Sequence, residues 1–351
     1  MVYIMFFICF LIALGLTPLV KKLALRVGAT DVPNARKVHK KIMPRMGGLA
    51  IYLAFITGML VIWPDSSYTV PLLIGSVIII LTGVLDDLFS LSPKIKIVAH
   101  FCAALVIVQG GITVTFINLP FNGVLHLYWF SVPLTLLWIM GITNAINLID
   151  GLDGLAAGVS SIVLLTIAGL SLTEGNMFVF AVSTLLLGST LGFLPYNFHP
   201  AKIFMGDTGS YFLGYVISVL ALLGFKNVTL FSLVVPIVIL AVPISDTLFA
   251  IIRRLVHKKP ITAPDKSHLH HCLLRFGFTQ GQTVLLIYGM SALFALAAIL
   301  LSTSTLLGSL IIIVGVMLVI ELVVEGVGLV SANYKPLLTV YKRLVSFGKV
   351  K

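Results

Sequence analysis

Three stretches of this sequence set carboxylates among glycine and other small residues. They are "GVLDDLFS" with Asp86 and Asp87, "NLIDGLDG" with Asn147, Asp150 and Asp153, and "FMGDTGS" with Asp207. Adjacent carboxylates repel one another as anions unless a cation or a shared proton relieves them. Hard oxygen ligands of this kind suit Mg2+, which takes one or two carboxylates and completes its shell with water and substrate phosphate; Mn2+ is the other candidate. Taken singly each motif is ambiguous, because a lone aspartate can simply mark a helix end at a membrane interface. Recurrence of the same kind of end in three loops points to one composite site. Several familiar patterns are missing: no third aspartate completes DDxxD, no D-x-[DN]-x-[DN]-G-x5-E loop surrounds Asp150, and no GxxxxGK[ST] loop occurs. Asp207-Thr208-Gly209-Ser210 reads as a helix N-terminus whose free N–H groups attract phosphate.

Around these acids lie groups suited to phosphate and nucleotide. "YNFHPAKIFMGDTGS" offers Asn197, His199, Lys202 and a single aromatic, Phe204, while "LSPKIK" adds Lys94 and Lys96. "NARKVHKKIMPRMGG" supplies Arg36, Lys37, His39, Lys40, Lys41 and Arg45, then Gly47 and Gly48 at a helix start. That loop is either a basic stop at the membrane surface or a phosphate cradle of charge and free N–H groups. "PDKSHLHHCLLRFG" holds Asp265, Lys266, His268, His270 and His271. Zinc is one reading, but no cysteine or acid is spaced to complete the shell. Imidazole donors for phosphate or nucleotide oxygens fit better, and an ordinary interfacial loop is the third possibility. The inventory suits a metal-bound phosphorylated nucleotide reacting at a membrane surface, with a lipid as the other substrate.

The elements that must position these loops are read from an unusually apolar chain, 59% hydrophobic and 10% charged over 351 residues. Apolar runs recur at the length of about 17–25 residues that a helix needs to cross a bilayer. Backbone groups in hydrocarbon must be bonded internally, and the runs do not alternate as barrel strands would, so the fold class is an all-α integral membrane protein. Eleven spans are expected, at 2–22, 47–64, 70–86, 97–117, 129–146, 155–172, 177–195, 210–225, 229–252, 284–302 and 305–331. Ten is the alternative if 284–331 is not divided. The first run has no basic residues before it, and Lys21 and Lys22 follow it, so it is read as a span with an outer N-terminus rather than a cleaved signal. With eleven spans the C-terminus is cytoplasmic, and every Lys and Arg except Lys226 falls on the inner side. The net charge of +11 is then a coat facing anionic lipid and anionic substrate, not a nucleic-acid surface. Cys9, Cys102 and Cys272 are isolated and make no disulfide framework. Residues 1–351 read as one multi-pass domain.

Jointly, "RKVHKKIMPRMGG", "GVLDDLFSLSPKIK", "GITNAINLIDGLDGLAAG", "GFLPYNFHPAKIFMGDTGS", "PISDTLFAIIRR" and "DKSHLHH" resemble the polyprenyl-phosphate N-acetylhexosamine-1-phosphate transferases of the glycosyltransferase 4 type. This superfamily includes phospho-N-acetylmuramoyl-pentapeptide transferase. Within it the sequence is similar to the branch that transfers N-acetylglucosamine 1-phosphate to undecaprenyl phosphate, as at the start of wall teichoic acid synthesis. The resemblance implies that Asp207 binds Mg2+, that Asn147 assists, and that Asp86 and Asp87 form the catalytic pair, the first often assigned as base toward the lipid phosphate. It further implies a phosphate contact at Lys96, uracil contacts at Asp153 and Phe204, and nucleotide or pyrophosphate contacts at His268, His270 and His271. Asn197 and Asp150 fall on the nucleotide side, Asp150 without an assigned task, and Lys41 on the phosphate side. Pro195 departs from relatives that carry an aromatic there, which puts no role in doubt. Homodimers and a bacterial cytoplasmic membrane with an inward-facing site are also implied.

The expected reaction is attack by undecaprenyl phosphate on the sugar-linked phosphate of UDP-GlcNAc, releasing UMP. A phosphomonoester has its second pKa near about 6, so the nucleophile is largely ionised at neutral pH and needs little base. Direct displacement is therefore expected over an aspartyl-phosphate on Asp207. Another UDP-HexNAc, such as UDP-MurNAc-pentapeptide, is the alternative donor. A cation-coupled transporter is the competing class, disfavoured because the acids lie at span ends rather than at the midplane. Pro236, Pro243 and Asp246 are expected to bend the ninth span, opening a groove for the prenyl chain or serving packing alone. Glu321 and Glu325 are expected to pack against the bundle or inner interface.

Overall fold

The computed structural model describes residues 1–32, 42–119, 123–224, 233–258, 260, 265, 267–329 and 334–339. Helices follow the apolar runs: α1 (Val2–Val27), α2 (Gly48–Ile62), α3 (Thr69–Phe89), α4 (Pro93–Gln109), α5 (Ser131–Ile149), α6 (Leu155–Thr173), α7 (Met177–Asn197) and α8 (Gly206–Gly224). They continue with α9 (Val234–Ile239), α10 (Ala241–Val256), α11 (Leu269–Arg275), α12 (Gln280–Thr303) and α13 (Leu306–Val327). Two small antiparallel pairs interrupt them, β1 (Thr30–Asp31) with β2 (Met43–Pro44), and β3 (Phe116–Leu119) with β4 (Gly123–His126). Among the described residues eight helices are long and apolar enough to cross a membrane: α1, α3, α5 with the turn before it, α6, α7, α8, α12 and α13. The chain is a multi-pass helical membrane protein. Of the expected spans the second is the short apolar helix α2.

Two segments depart from the expected boundaries for identifiable reasons. The fourth starts earlier, because Pro93 stands at the first helical position, where its missing N–H would have no partner in any case. It stops at Gln109, and of the residues expected to finish the span 110–115 are irregular and Phe116 and Ile117 begin β3. The ninth is broken at Leu240 into α9 and α10. Pro236 and Pro243 each occupy the third position of their helix, in the first turn where N–H groups are unpaired, so two short helices satisfy both prolines better than one long one.

The core is centred on α8, almost every residue of which is buried, so it is apolar all round rather than on one stripe. It lies against α2, α3, α5 and α6. Close approach sets the geometry at its first turn: a Cβ on Gly48 would fall 2.0 Å from the Gly209 Cα, so only glycine lets α2 reach the start of α8. By contrast α1 and α13 leave most of their surface outside the bundle, as lipid-facing helices do. Glu325 is buried in α13 and accepts hydrogen bonds from the Leu337 and Leu338 N–H groups, while Glu321 bonds the Tyr334 hydroxyl. Both acids thus hold the segment that follows α13, which is a packing role.

Candidate active site

Neighbours in a helix point about 100° apart, so Asp86 and Asp87 at the end of α3 serve different partners. Asp86 is buried; its Oδ1 accepts from the Leu91 N–H at 2.8 Å, and its Oδ2 accepts from the Tyr211 hydroxyl at 3.0 Å. Lys96, in the first turn of α4, brings its Nζ to 2.6 Å from that same oxygen. Asp87 turns to the start of α8, where it accepts from the N–H groups of Asp207 at 3.0 Å and Thr208 at 3.1 Å and from the Thr208 hydroxyl at 2.6 Å. It therefore caps α8 from another helix and satisfies the donors that a helix start leaves open. The expectation that these N–H groups receive phosphate is corrected, since a carboxylate already occupies them. The Gly47 and Gly48 N–H groups are likewise taken, by the carbonyls of Phe204 and Met205, so they offer no free donors to a phosphate.

Arg45 joins the pieces. It lies between β2 and α2, with Nε 3.2 Å from Asp87, one terminal nitrogen 3.0 Å from Asp207 and the other 3.6 Å from Asp31. Burial works against its charge, but Asp87, Asp207, Asp31 and Asp86 outweigh that and hold the guanidinium above its ordinary range. On Asp207 the other oxygen accepts from Asn147 Nδ2 at 2.7 Å, and that amide also reaches the Ser210 hydroxyl at 2.8 Å. Asn147 is presented by the last turn of α5.

The turn after α5 adds two more acids. Desolvation, then the Asp207 and Asp87 carboxylates, push the Asp150 carboxyl up to about 8. Asp153 Oδ2 accepts from the Ala201 N–H at 3.1 Å and lies 2.8 Å from His199 Nδ1, which fastens this turn to the loop before α8. Tyr288 of α12 donates its hydroxyl to the Gly154 carbonyl at 2.5 Å and steadies the turn from the other side. Asn197, expected toward the nucleotide, is buried with Nδ2 on the Ile203 carbonyl, so it shapes the loop instead of offering an exposed amide. Phe204 stands half-buried in that loop, its N–H donated to the Pro44 carbonyl.

The histidine loop reaches the same turn from α10. Asp246 accepts from the Leu269 N–H at 2.7 Å, and its other oxygen lies 2.8 Å from His268 Nδ1. His270 lies parallel to His268 with ring centroids 6.0 Å apart, and His271 is 4.2 Å from His270. A Cβ on Gly151 would meet His270 Nε2 at 2.3 Å, so the imidazole rests directly on the aspartate-rich turn and only glycine admits it. Burial, then His271, push His270 down to about 3, and burial followed by His268 also lowers His271. These two rings are neutral N–H donors or lone-pair acceptors rather than cations. Arg253 pins the loop: it binds Asp265 and the Leu329 carbonyl, and holds the Asp265 carboxyl below the ordinary range against the opposing effect of burial.

The structure thus gathers Asp86, Asp87, Asp207, Asn147, Lys96, Asp150 and Asp153, with His270 on the adjoining side. Lys41 and the neighbouring Arg36, Lys37, His39 and Lys40, together with Lys266, lie outside the described residues. Among the described residues no three His, Cys, Asp or Glu side chains converge as metal ligands, so the zinc reading of the histidine loop has no shell there. A divalent cation of the Mg2+ kind needs only one or two carboxylates, and Asp207 beside the Asn147 amide is the pair whose chemistry fits it. The surplus of acid among the described residues supports that fit: Arg45 serves Asp31, Asp87 and Asp207 at once, and Lys96 serves Asp86. Arg45 was read from the sequence only as one of the basic residues of a stop or phosphate cradle, not as a partner of the aspartates, and Tyr211 was not singled out. Tyr211 could have been, since it stands one helical turn after Asp207 on the same face.

Comparison with known proteins agrees with this arrangement. Residues 69–225, from the start of α3 to the end of α8, match Glycosyl transferase family 4. The chain is 51% identical over 348 residues to a probable undecaprenyl-phosphate N-acetylglucosaminyl 1-phosphate transferase of Bacillus subtilis (strain 168), covering 98% of this chain and 97% of that one. The chain belongs to glycosyl transferase family 4. This family member is also 34% identical to a decaprenyl-phosphate N-acetylglucosaminephosphotransferase of Mycolicibacterium smegmatis, over 87% of this chain and 83% of that one. A Thermotoga maritima undecaprenyl-phosphate alpha-N-acetylglucosaminyl 1-phosphate transferase is 32% identical over 82% and 86% of the two chains. The matched span carries Asp86, Asp87, Asn147, Asp150, Asp153 and Asp207, and the enzyme is a phosphoglycosyl transferase.

Proposed function

We propose that this enzyme transfers N-acetylglucosamine 1-phosphate from UDP-GlcNAc to undecaprenyl phosphate, yielding undecaprenyl-diphosphate-GlcNAc and UMP. It does so at the inner face of a bacterial cytoplasmic membrane, as a homodimer and as the first membrane step toward wall teichoic acid or a related envelope polymer. The names of the similar proteins support acceptor and sugar. The observation that carries the reading is the gathering of Asp31, Asp87 and Asp207 on one arginine beside the Asn147 amide, which suits a divalent cation, Mg2+ or Mn2+, and through it a pyrophosphate donor. When bound, such a cation supplies charge neutralisation for the phosphates.

The residues then divide the work. Asp207 and Asn147 hold the cation. Lys96, paired with the Asp86 carboxylate that Tyr211 also hydrogen-bonds, presents a positive charge to a phosphate. Asp86 is already engaged by that lysine and tyrosine, which suits a residue that orients Lys96 more than one that must collect a proton from a largely ionised nucleophile. Asp153 and Phe204 face the uracil, while Asp150, His268 and the neutral rings of His270 and His271 face the rest of the nucleotide. Both Asp207 oxygens being engaged supports direct displacement over an aspartyl-phosphate. The test is UMP release by the purified enzyme in detergent with UDP-GlcNAc, undecaprenyl phosphate and Mg2+, with other UDP-sugars in competition. UMP release that needs the lipid and prefers UDP-GlcNAc is expected. Preference for another UDP-sugar would overturn the donor, and a labelled phosphoenzyme formed with UDP-GlcNAc alone would overturn direct attack.

A further inference from the structure

Arg45 makes the same carboxylate contact that a divalent cation would need. Its terminal nitrogen is 3.0 Å from Asp207 Oδ2, and Asn147 Nδ2 occupies Oδ1 at 2.7 Å, so both oxygens are engaged. A doubly charged ion placed on Asp207 would stand a few ångströms from a guanidinium in a part-buried site, where like charges repel more strongly than in bulk water. The two cations cannot share this carboxylate at no cost. Arg45 nevertheless has somewhere to go. Its Nε already lies on Asp87 at 3.2 Å, and its second terminal nitrogen is 3.6 Å from Asp31, beyond hydrogen-bond length and therefore with room to tighten. The side chain keeps 23% of its surface exposed, so it is not locked by packing. Asp87 and Asp31 both stand beside the guanidinium, so it keeps carboxylate partners when it leaves Asp207.

We propose that Arg45 is the resting counter-ion of Asp207 and that a divalent cation enters by displacing it onto Asp87 and Asp31. Guanidinium and metal are thus alternatives at one carboxylate. The arginine keeps the metal-free acid cluster from repelling itself apart, and once displaced it offers a planar set of donors beside the incoming phosphates. The inference rests on the assignment of the metal to Asp207 made above.

The test measures metal binding without turnover. Free Mn2+ is followed by electron paramagnetic resonance as it is titrated into the full chain in detergent, without nucleotide or lipid. Wild type is compared with Asp207→Asn, Arg45→Gln and Arg45→Lys. Couplings between two ligands of one protein usually amount to roughly 5–150-fold in affinity. Arg45→Gln should therefore bind Mn2+ on the order of tenfold more tightly than wild type, with Arg45→Lys between them and Asp207→Asn losing the site. Equal or weaker binding by Arg45→Gln, with the site still lost in Asp207→Asn, overturns the displacement while leaving the metal on Asp207. Equal binding by wild type and Asp207→Asn overturns the assignment itself and the displacement with it. If Arg45→Gln does not fold, wild type is treated with phenylglyoxal and the modified arginines are mapped by mass spectrometry. Added Mg2+ should speed modification of Arg45 relative to Arg26, and an unchanged or slower rate overturns the proposal.

Discussion

The acid cluster where α3 meets α8 and the histidine loop between α10 and α11 flank the same aspartate-rich turn, yet they are built on opposite principles. In the cluster Asp86, Asp87 and Asp207 are held by donors from distant elements: Lys96 for Asp86, Arg45 and the α8 N–H groups for Asp87, the same Arg45 and Asn147 for Asp207. In the loop, Arg253 and Asp265 form a charged pin, but the rings that approach the turn are kept neutral by burial, and their position is set by shape. Charge that is paired across distant helices can bind and release ions. Neutral rings held against a glycine offer shape and hydrogen bonds in place of charge. The difference teaches that one region should govern the transfer step and the other the fit of the nucleotide.

The comparison can be broken most severely at Asp87. Replacing it by alanine removes a helix cap and one of the carboxylates that hold Arg45, and severing a buried charged pair of this kind costs about 3–5 kcal/mol. A large fall in the thermal midpoint in detergent, or loss of monodisperse protein on gel filtration, is expected; an unchanged midpoint would mean that the cluster does not brace α8.

The loop side is sharpened by pH. His270 is held down to about 3, whereas an unfolded histidine titrates near about 6.5. Its contribution to stability is complete above that unfolded value and is lost as pH falls through it, because the unfolded chain takes a proton that the folded one refuses. The loss from this group approaches about 1.4 kcal/mol per pH unit. The midpoint of wild type should drop between about pH 7 and pH 5, and His270→Gln should flatten that slope. Equal slopes in the two proteins would show that the ring is not buried neutral.

The smallest expected effect is Tyr288→Phe. It removes one hydroxyl from the Gly154 carbonyl, which keeps its bond from the Gly158 N–H, so about 1 kcal/mol or less is at stake. Thermal scans should resolve a small shift with the fold retained, and a loss of several kcal/mol would make Tyr288 a main support of the turn.

Much of this could be read before the structure, and the remainder could not for a common reason. Apolar length alone located the helices, since hydrocarbon permits little else, and the three aspartate motifs do meet. Arg45 looked like one more basic residue of an interfacial loop because its partner Asp207 is 162 positions away. The helix start at Asp207 looked open because the carboxylate that fills it comes from 120 positions earlier. Local pattern reports which residues can cap or pair, while the choice of partner depends on which helices pack together. The break at Leu240 stood between these cases: the prolines signalled a bend, and its exact place followed from fitting each into a first turn.

The division between the two regions is tested most directly by steady-state kinetics of Asp207→Asn and Gly151→Ala side by side, reading UMP release against UDP-GlcNAc. Asp207→Asn should lower kcat on the order of a hundredfold with little change in KM, as loss of a group that acts in the transition state does. Gly151→Ala puts a methyl where His270 now lies and should raise KM on the order of tenfold with kcat largely kept. The reverse pattern, or a loss of kcat alone in both variants, would contradict the account.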